Sequence, residues 1–150
     1  MTDPLNDWSY TSFHTENWGF DSSNPHYFWG DMSRVVRGNL EDGIIVYEYP
    51  NIQSASVVVH LSIWYPSLSP AAIKLYASST GGDFGNYTEV AVEYDTDPSI
   101  VDGWQGTTIK TVGDLPEGTN FLGIVVSEKV AESWATQLGE VSLIYKDLYQ

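Results

Sequence analysis

Apolar and polar residues alternate with a period of two along most of the chain. Between Ala55 and Tyr65, Val57, Val59, Leu61 and Ile63 fall on one face, and Val58, His60, Ser62 and Trp64 on the other. Ile73, Leu75 and Ala77 alternate with Lys74, Tyr76 and Ser78. Val90, Val92 and Tyr94 alternate with Glu89, Ala91 and Glu93. Such patterns predict strands with one face on a core. Further strands are predicted over residues 6–14, 33–37, 43–49, 106–112, 119–127 and 140–146. The run 121–126 is almost continuously apolar, FLGIVV, and reads as a central strand. Ser23-Asn24-Pro25, Glu41-Asp42-Gly43, Pro50-Asn51, Thr80-Gly81-Gly82-Asp83, Asp102-Gly103 and Pro116-Glu117-Gly118 punctuate these runs with turn chemistry. Only residues 128–137 read as able to hold a helical turn or two. About eight to ten short strands between regular turns predict an all-β fold, an antiparallel β-sandwich of jelly-roll type. No internal repeat, low-complexity tract or interior linker interrupts it.

At 150 residues the chain predicts a single domain, with a core over about residues 5–146. Aromatic residues are 14% of the chain, too many for intrinsic disorder. Twenty acidic residues against six basic ones give a formal charge of −14. That field repels phosphate backbones and anionic membrane surfaces, which excludes nucleic acid as a partner and favours a neutral ligand. There is no cysteine, hence no disulfide, thiol nucleophile or Cys-ligated metal. No run approaches the roughly 18 apolar residues of a membrane-spanning helix. The opening MTDPLNDWSY has neither a basic region nor an apolar one, so no signal peptide is read. Two expectations remain open on this ground: an intracellular protein, or a module excised from a longer secreted chain.

Three stretches carry a resemblance. The first runs from Asp7-Trp8-Ser9 to Phe20-Asp21, then Gly30-Asp31-Met32-Ser33-Arg34. The second is Lys74-Leu75-Tyr76-Ala77-Ser78-Ser79, a Gly-rich turn, then Asn86-Tyr87-Thr88-Glu89-Val90. The third is Leu115-Pro116-Glu117-Gly118-Thr119-Asn120-Phe121-Leu122-Gly123-Ile124, then Trp134 and Leu138-Gly139-Glu140-Val141-Ser142-Leu143-Ile144-Tyr145. In this order and spacing they resemble a bacterial carbohydrate-binding module of the galactose-binding-like, discoidin-like jelly-roll type, as appended to secreted glycoside hydrolases such as mannanases. One departure is Thr80-Gly81-Gly82-Asp83-Phe84-Gly85, an insertion where Asp-Gly is usual. The resemblance implies a galactose-binding-like fold, a secreted or cell-surface setting within a larger protein, and a parent catalytic domain as partner in cis.

Sugar recognition needs flat apolar rings for the C–H faces of a pyranose and a few polar groups for its hydroxyls. His26-Tyr27-Phe28-Trp29 follows a Ser-Asn-Pro turn, and its four rings cannot all enter one core from an extended segment. Trp64-Tyr65 ends a strand, Trp104 follows an Asp-Gly turn, and Trp134 precedes the last strand. Tyr27, Trp29, Tyr65, Trp104 and Trp134 are the candidate platforms; each taken alone also reads as a core ring or a lid over a core edge. Trp8 reads as buried on the first strand. Arg34, near Asp31 and the aromatic cluster, is a candidate fork for vicinal hydroxyls, or a structural ion pair. The resemblance also implies a structural Ca²⁺, with Asp21, Asn24, Asp31 and Glu140 as candidate ligands. The alternative is that Asp31 and Glu140 pair with Arg34 or Arg37. His14, His26 and His60 have no metal-binding spacing, and no catalytic motif is present. The expected function is therefore non-catalytic binding of a neutral or weakly charged polysaccharide. The alternatives are an interdomain or cell-surface interaction module and, third, a small jelly-roll glycosidase or lyase.

Overall fold

The alternating stretches become antiparallel strands packed in two layers. A computed structural model describes residues 1–65, 68–131 and 135–147. The strands are β1 (Thr2–Asp3), β2 (Phe13–His14), β3 (Trp18–Asp21), β4 (Arg34–Arg37), β5 (Gly43–Glu48), β6 (Ile52–Ser62), β7 (Ile73–Ser78), β8 (Thr88–Glu89), β9 (Val92–Val101), β10 (Trp104–Thr111), β11 (Phe121–Val126) and β12 (Gln137–Tyr145). Short 3-10 turns lie at Pro25–Phe28, Pro70–Ala72 and Phe84–Asn86. The first sheet runs β3-β4-β12-β6-β10-β9, with β1 also pairing β12; the second runs β2-β5-β11-β7-β8. From β5 onward the chain repeatedly crosses between the layers. The result is an antiparallel β-sandwich of jelly-roll type.

The inward faces are those the alternation predicts. Val57 and Val59 of β6, Leu75 of β7, Ile109 of β10, Leu122 and Ile124 of β11, and Val141 of β12 are fully buried between the sheets. β11 is central, flanked by β5 and β7. On the far face of β6, His60 and Ser62 are buried as well. The Pro25–Phe28 turn lies against that face: the Phe28 ring meets His60 edge-on at 5.2 Å.

Several expectations give way. Of residues 6–14 only 13–14 form a strand. Ahead of it, buried Asp3 accepts hydrogen bonds from the Leu5 amide (2.9 Å) and Tyr47 hydroxyl (2.7 Å), which holds this segment as a loop. Trp8 is accordingly half-buried and off any strand, stacked on His14 at 4.1 Å. β9 continues to Val101, well past the predicted end near Tyr94. An edge strand bonded on one side needs no apolar face, so polar Asp95–Ser99 could not announce it. The described part of residues 128–137 contains no helix. There the buried Glu128 carboxylate accepts the Thr136 amide (2.7 Å) and hydroxyl (2.6 Å), closing a loop instead. Among the described residues no helix is long and apolar enough to cross a membrane.

Candidate functional site

Three of the aromatic stretches singled out in the sequence meet on the outer face of the first sheet. The organiser is the Pro25–Phe28 turn. Asn24, at φ 48°, precedes it and Trp29, at φ 55°, follows it, both left-handed. Pro25 presets the first position of the turn, and the amides of Trp29 and Gly30 both donate to its carbonyl. A bulky residue rarely adopts φ near +55°, and it persists where its surroundings hold it. The two reversals splay the rings. Phe28 turns down onto the sheet, 4.8 Å from Trp104. Trp29 turns outward, 42% exposed, with its ring near-parallel to His60 at 5.9 Å. Tyr27 leans to Asp102, whose charge and hydrogen bond push the phenol above its ordinary pKa.

Arg34 is the post beneath this loop. It is fully buried, with its guanidinium carbon 3.7 Å from the Phe28 ring centre. Its Nε donates to Gln137 Oε1 at 2.7 Å, and its terminal nitrogens donate to the carbonyls of Ser23 and Asp31, at the two ends of the loop. Asp21 Oδ1 lies 3.4 Å away. Arg34 thus does not present a fork at the surface; its donors face the fold, and this is the structural ion pair of the two readings. Arg37 is buried likewise and donates to the carbonyls of Glu41, Glu128 and Val130.

Two hollows share the loop as a wall. The first, about 230 Å³, is lined by Tyr27 and Phe28 together with Asp21, Asn24, Trp64, Asp102, Trp104 and Gln137. Trp64, 55% exposed, lies against the Asp102-Gly103 turn. Gly103 has φ +83°, and a Cβ there would stand 2.6 Å from the Trp64 ring, so this approach requires glycine. The second hollow, about 370 Å³, is walled by Trp29 and floored by His60 and Gly106, with Asp95, Asp97 and Thr107 around it.

Of the candidate platforms, Trp29 is exposed and Tyr27 lines a hollow. Trp104 is only 4% exposed. It is a floor under Phe28 rather than a platform, because its strand position turns the ring beneath the loop. Tyr65 is half-buried and lines neither hollow. Trp134 lies outside the described residues. Trp64, not among the candidates read from the sequence, is the exposed ring of that pair.

The residues put forward for Ca²⁺ do not fit it. A calcium ion takes six to eight oxygens. Asp21 Oδ1 is occupied by the Ser23 amide (2.8 Å) and hydroxyl (2.6 Å), and its Oδ2 accepts from Gln137 at 3.1 Å. Burial pushes the Asp21 carboxyl up, but Ser23, Arg34 and Gln137 together hold it below the ordinary carboxylate range. Asp31 accepts the Ser33 amide (2.9 Å) and stands 3.5 Å from His60 Nε2. Asn24 is exposed, and Glu140 is exposed with Ser142 as its contact at 3.4 Å. The Arg34 cation already stands between the loop ends. Among the described residues, no three acidic or histidine side chains form a metal-binding group.

A third concavity, about 510 Å³, lies on the outer face of the second sheet, lined by Phe13, Ile44, Val46, Phe84, Tyr87 and Phe121, with Ser12, Gly82 and Asp83. Sequence reading did not single these rings out. The available signal was the Gly-Gly-Asp-Phe-Gly insertion. It lays Phe84 over Gly123, where a Cβ would meet the ring at 2.9 Å, and stacks Phe84 on Tyr87 at 4.4 Å.

Comparison with solved structures finds the fold elsewhere. The chain is similar to the K1 cleaved adhesin domain of Lys-gingipain from Porphyromonas gingivalis W83, at 16% identity and a TM-score of 0.58, covering 98% of each chain. It also matches the K3 cleaved adhesin domain of Lys-gingipain from the same organism, at 16% identity and a TM-score of 0.48, over 89% of this chain and 98% of that one. No protein-family model matches the chain, and no curated protein does. At this identity the K1 likeness is one of fold.

Proposed function

We propose that this chain is a non-catalytic carbohydrate-binding module of a larger secreted or cell-surface bacterial protein, and that it takes its ligand at the two hollows beside the Pro25–Phe28 turn. The observation that carries the reading is the pairing of outward indoles with hydrogen-bonding groups. Trp29 and Trp64 offer exposed ring surface, and each borders a hollow lined by carboxylate, amide or hydroxyl groups. That combination suits a pyranose, with its apolar face and polar edge. An adhesive role in a larger protein accords with the likeness to the K1 adhesin domain of Lys-gingipain. Affinity should be modest, roughly micromolar to millimolar, because a short stacked contact leaves little after ordering costs.

The test is affinity electrophoresis through gels containing β-mannan, galactomannan, xylan, β-glucans, α-glucan, pectin or alginate. Retardation by a polymer, lost in Trp29→Ala and without release of product, supports the module. Free migration through every gel refutes it. A second reading, an interaction module, is favoured by the apolar groove on the second sheet. It predicts self-association or partner capture that Phe84→Ala abolishes, without glycan binding.

A further inference from the structure

The hollow beside Trp29 contains a polar atom that the fold leaves unmet. His60 is 3% exposed, yet its Nδ1 has no hydrogen-bond partner. Buried polar atoms are nearly always paired, and this orphan belongs to a residue that lines the hollow. The other ring nitrogen, Nε2, faces Asp31 Oδ2 at 3.5 Å. In the neutral ring that carboxylate keeps the proton on Nε2, which leaves Nδ1 a hydrogen-bond acceptor. Nδ1 lies at the edge of the space above Gly106, with almost no surface of its own exposed. A Cβ built there would lie 4.0 Å from Nδ1 and 3.8 Å from the Trp29 ring. The missing side chain keeps the floor of the hollow open.

The rim is acidic. Asp95 and Asp97 are both exposed on β9. Asp95 Oδ2 is answered on one side by Lys110 Nζ at 3.5 Å, and Asp97 Oδ1 accepts the Ser99 amide at 2.9 Å. The Thr107 hydroxyl is paired with that of Thr96 at 3.1 Å. An acceptor below, carboxylates at the mouth and an indole wall all favour a donor that carries positive charge. A neutral hydroxyl can donate to the acceptor and to the carboxylates, but it brings no charge to the mouth. An ammonium group on a pyranose meets all three.

We propose that this hollow takes an amino sugar bearing a free ammonium group, such as a glucosamine unit of a de-N-acetylated glycan, with its ring on Trp29 and its ammonium held above His60 by the Asp95–Asp97 rim. The proposal rests on the carbohydrate-binding reading and narrows its ligand. A lysine side chain carries the same ammonium and is tested as the competing source.

The experiment titrates the protein, in physiological salt and near pH 7, with three β-1,4-linked tetramers: of glucosamine, of N-acetylglucosamine and of glucose. N-acetyl-lysine amide is the fourth ligand. The glucosamine tetramer is expected to bind at least ~10-fold tighter than the other two sugars. Trp29→Ala should remove that binding. Gly106→Ala meets nothing closer than 3.8 Å, so it folds, and its methyl group in front of Nδ1 should weaken glucosamine binding ~10-fold or more. Asp97→Asn should narrow the preference for the amine. Three tetramers that bind alike, all sensitive to Trp29→Ala, overturn the amino-sugar assignment and leave the carbohydrate module standing. Glucosamine binding that survives both Trp29→Ala and Gly106→Ala is attraction to a chain of charge −14 and overturns the proposal. Lysine amide binding as tightly, with the same sensitivity to Trp29→Ala, overturns it in favour of a peptide. No binding of any tetramer, with no retardation in any polysaccharide gel, overturns the carbohydrate reading as well.

Discussion

The two outer faces of the sandwich are both aromatic, and they are built on opposite grounds. On the first sheet the rings rest on polar strand residues. Phe28 and Trp29 lie against His60, and Arg34 sits under Phe28. On the second sheet the rings rest on aliphatic ones. Phe84 lies on Gly123, and Ile44 and Val46 complete the groove. The first face therefore keeps hydrogen-bonding groups within reach of its rings, while the second offers area and little else. Aromatic content alone does not separate a sugar platform from an apolar contact surface; what lies beneath the rings does.

The sharpest way to break this contrast is to remove the post under the first face. Arg34→Ala strips the charge partner from Asp21 and leaves the Ser23 and Asp31 carbonyls and Gln137 without their donor. Breaking a buried pair in this way costs about 3–5 kcal/mol. In a chain of this length that corresponds to a fall of roughly 10 °C in Tm, measured by thermal unfolding, with binding lost as well. A change of only a degree or two would show that the loop stands without Arg34.

Next in size is Trp29→Ala. A central exposed anchor is worth about 2 kcal/mol or more, roughly 30-fold in affinity, and Tm should hardly move. Phe84→Ala is the matching change on the other face. It should leave glycan affinity unchanged and reduce binding of a hydrophobic dye. Loss of glycan binding in Phe84→Ala would transfer the site to the second sheet.

A smaller effect is expected from Gly123→Ala. The new Cβ, 2.9 Å from Phe84, must push the ring off the sheet, at a cost of about 1–3 kcal/mol read by thermal unfolding. The smallest is a pH effect with two opposed parts. Asp21 is held below its ordinary pKa, so the stability it contributes is present above that value and is lost as pH falls through the lowered one. Burial raises Glu128 despite Thr136 and Arg37. Its contribution is largest at acid pH and declines as pH rises through the window between its ordinary and raised values. Asp21→Asn should flatten the acid limb of the Tm profile, and Glu128→Gln the limb above it; an unchanged profile in both variants refutes the assignment.

Much of the fold was legible because it depends on neighbours two residues apart. The set Val57, Val59 and Leu61 points inward as its alternation requires, and 121–126 is central as its apolar run requires. The polar outer edge β9 was only half legible, since a strand exposed on both faces carries no alternation to read. The site was legible by region and not by residue. The stretches at 26–29, 64–65 and 104 converge as candidates, but which rings face solvent depends on left-handed Asn24 and Trp29, which reverse the chain twice within six residues. That reversal turns Trp29 out, while Trp104 is buried under Phe28. Arg34 illustrates a further limit. Its main acceptors are Gln137, 103 positions away, and two loop carbonyls, and side-chain identities do not announce backbone acceptors.

One feature of β9 reaches beyond ligand binding. This ten-residue strand is a border of the first sheet, and its pairing with β10 is interrupted between Thr96 and Ile100. A border of that length invites a second copy to zip onto it. Here it carries Glu93, Asp95 and Asp97, and Pro98 removes one amide from the row. Two such borders brought together would set like charges opposite one another, with a gap in the ladder. Many copies held close on one surface would therefore remain separate, each with its indoles open to what passes.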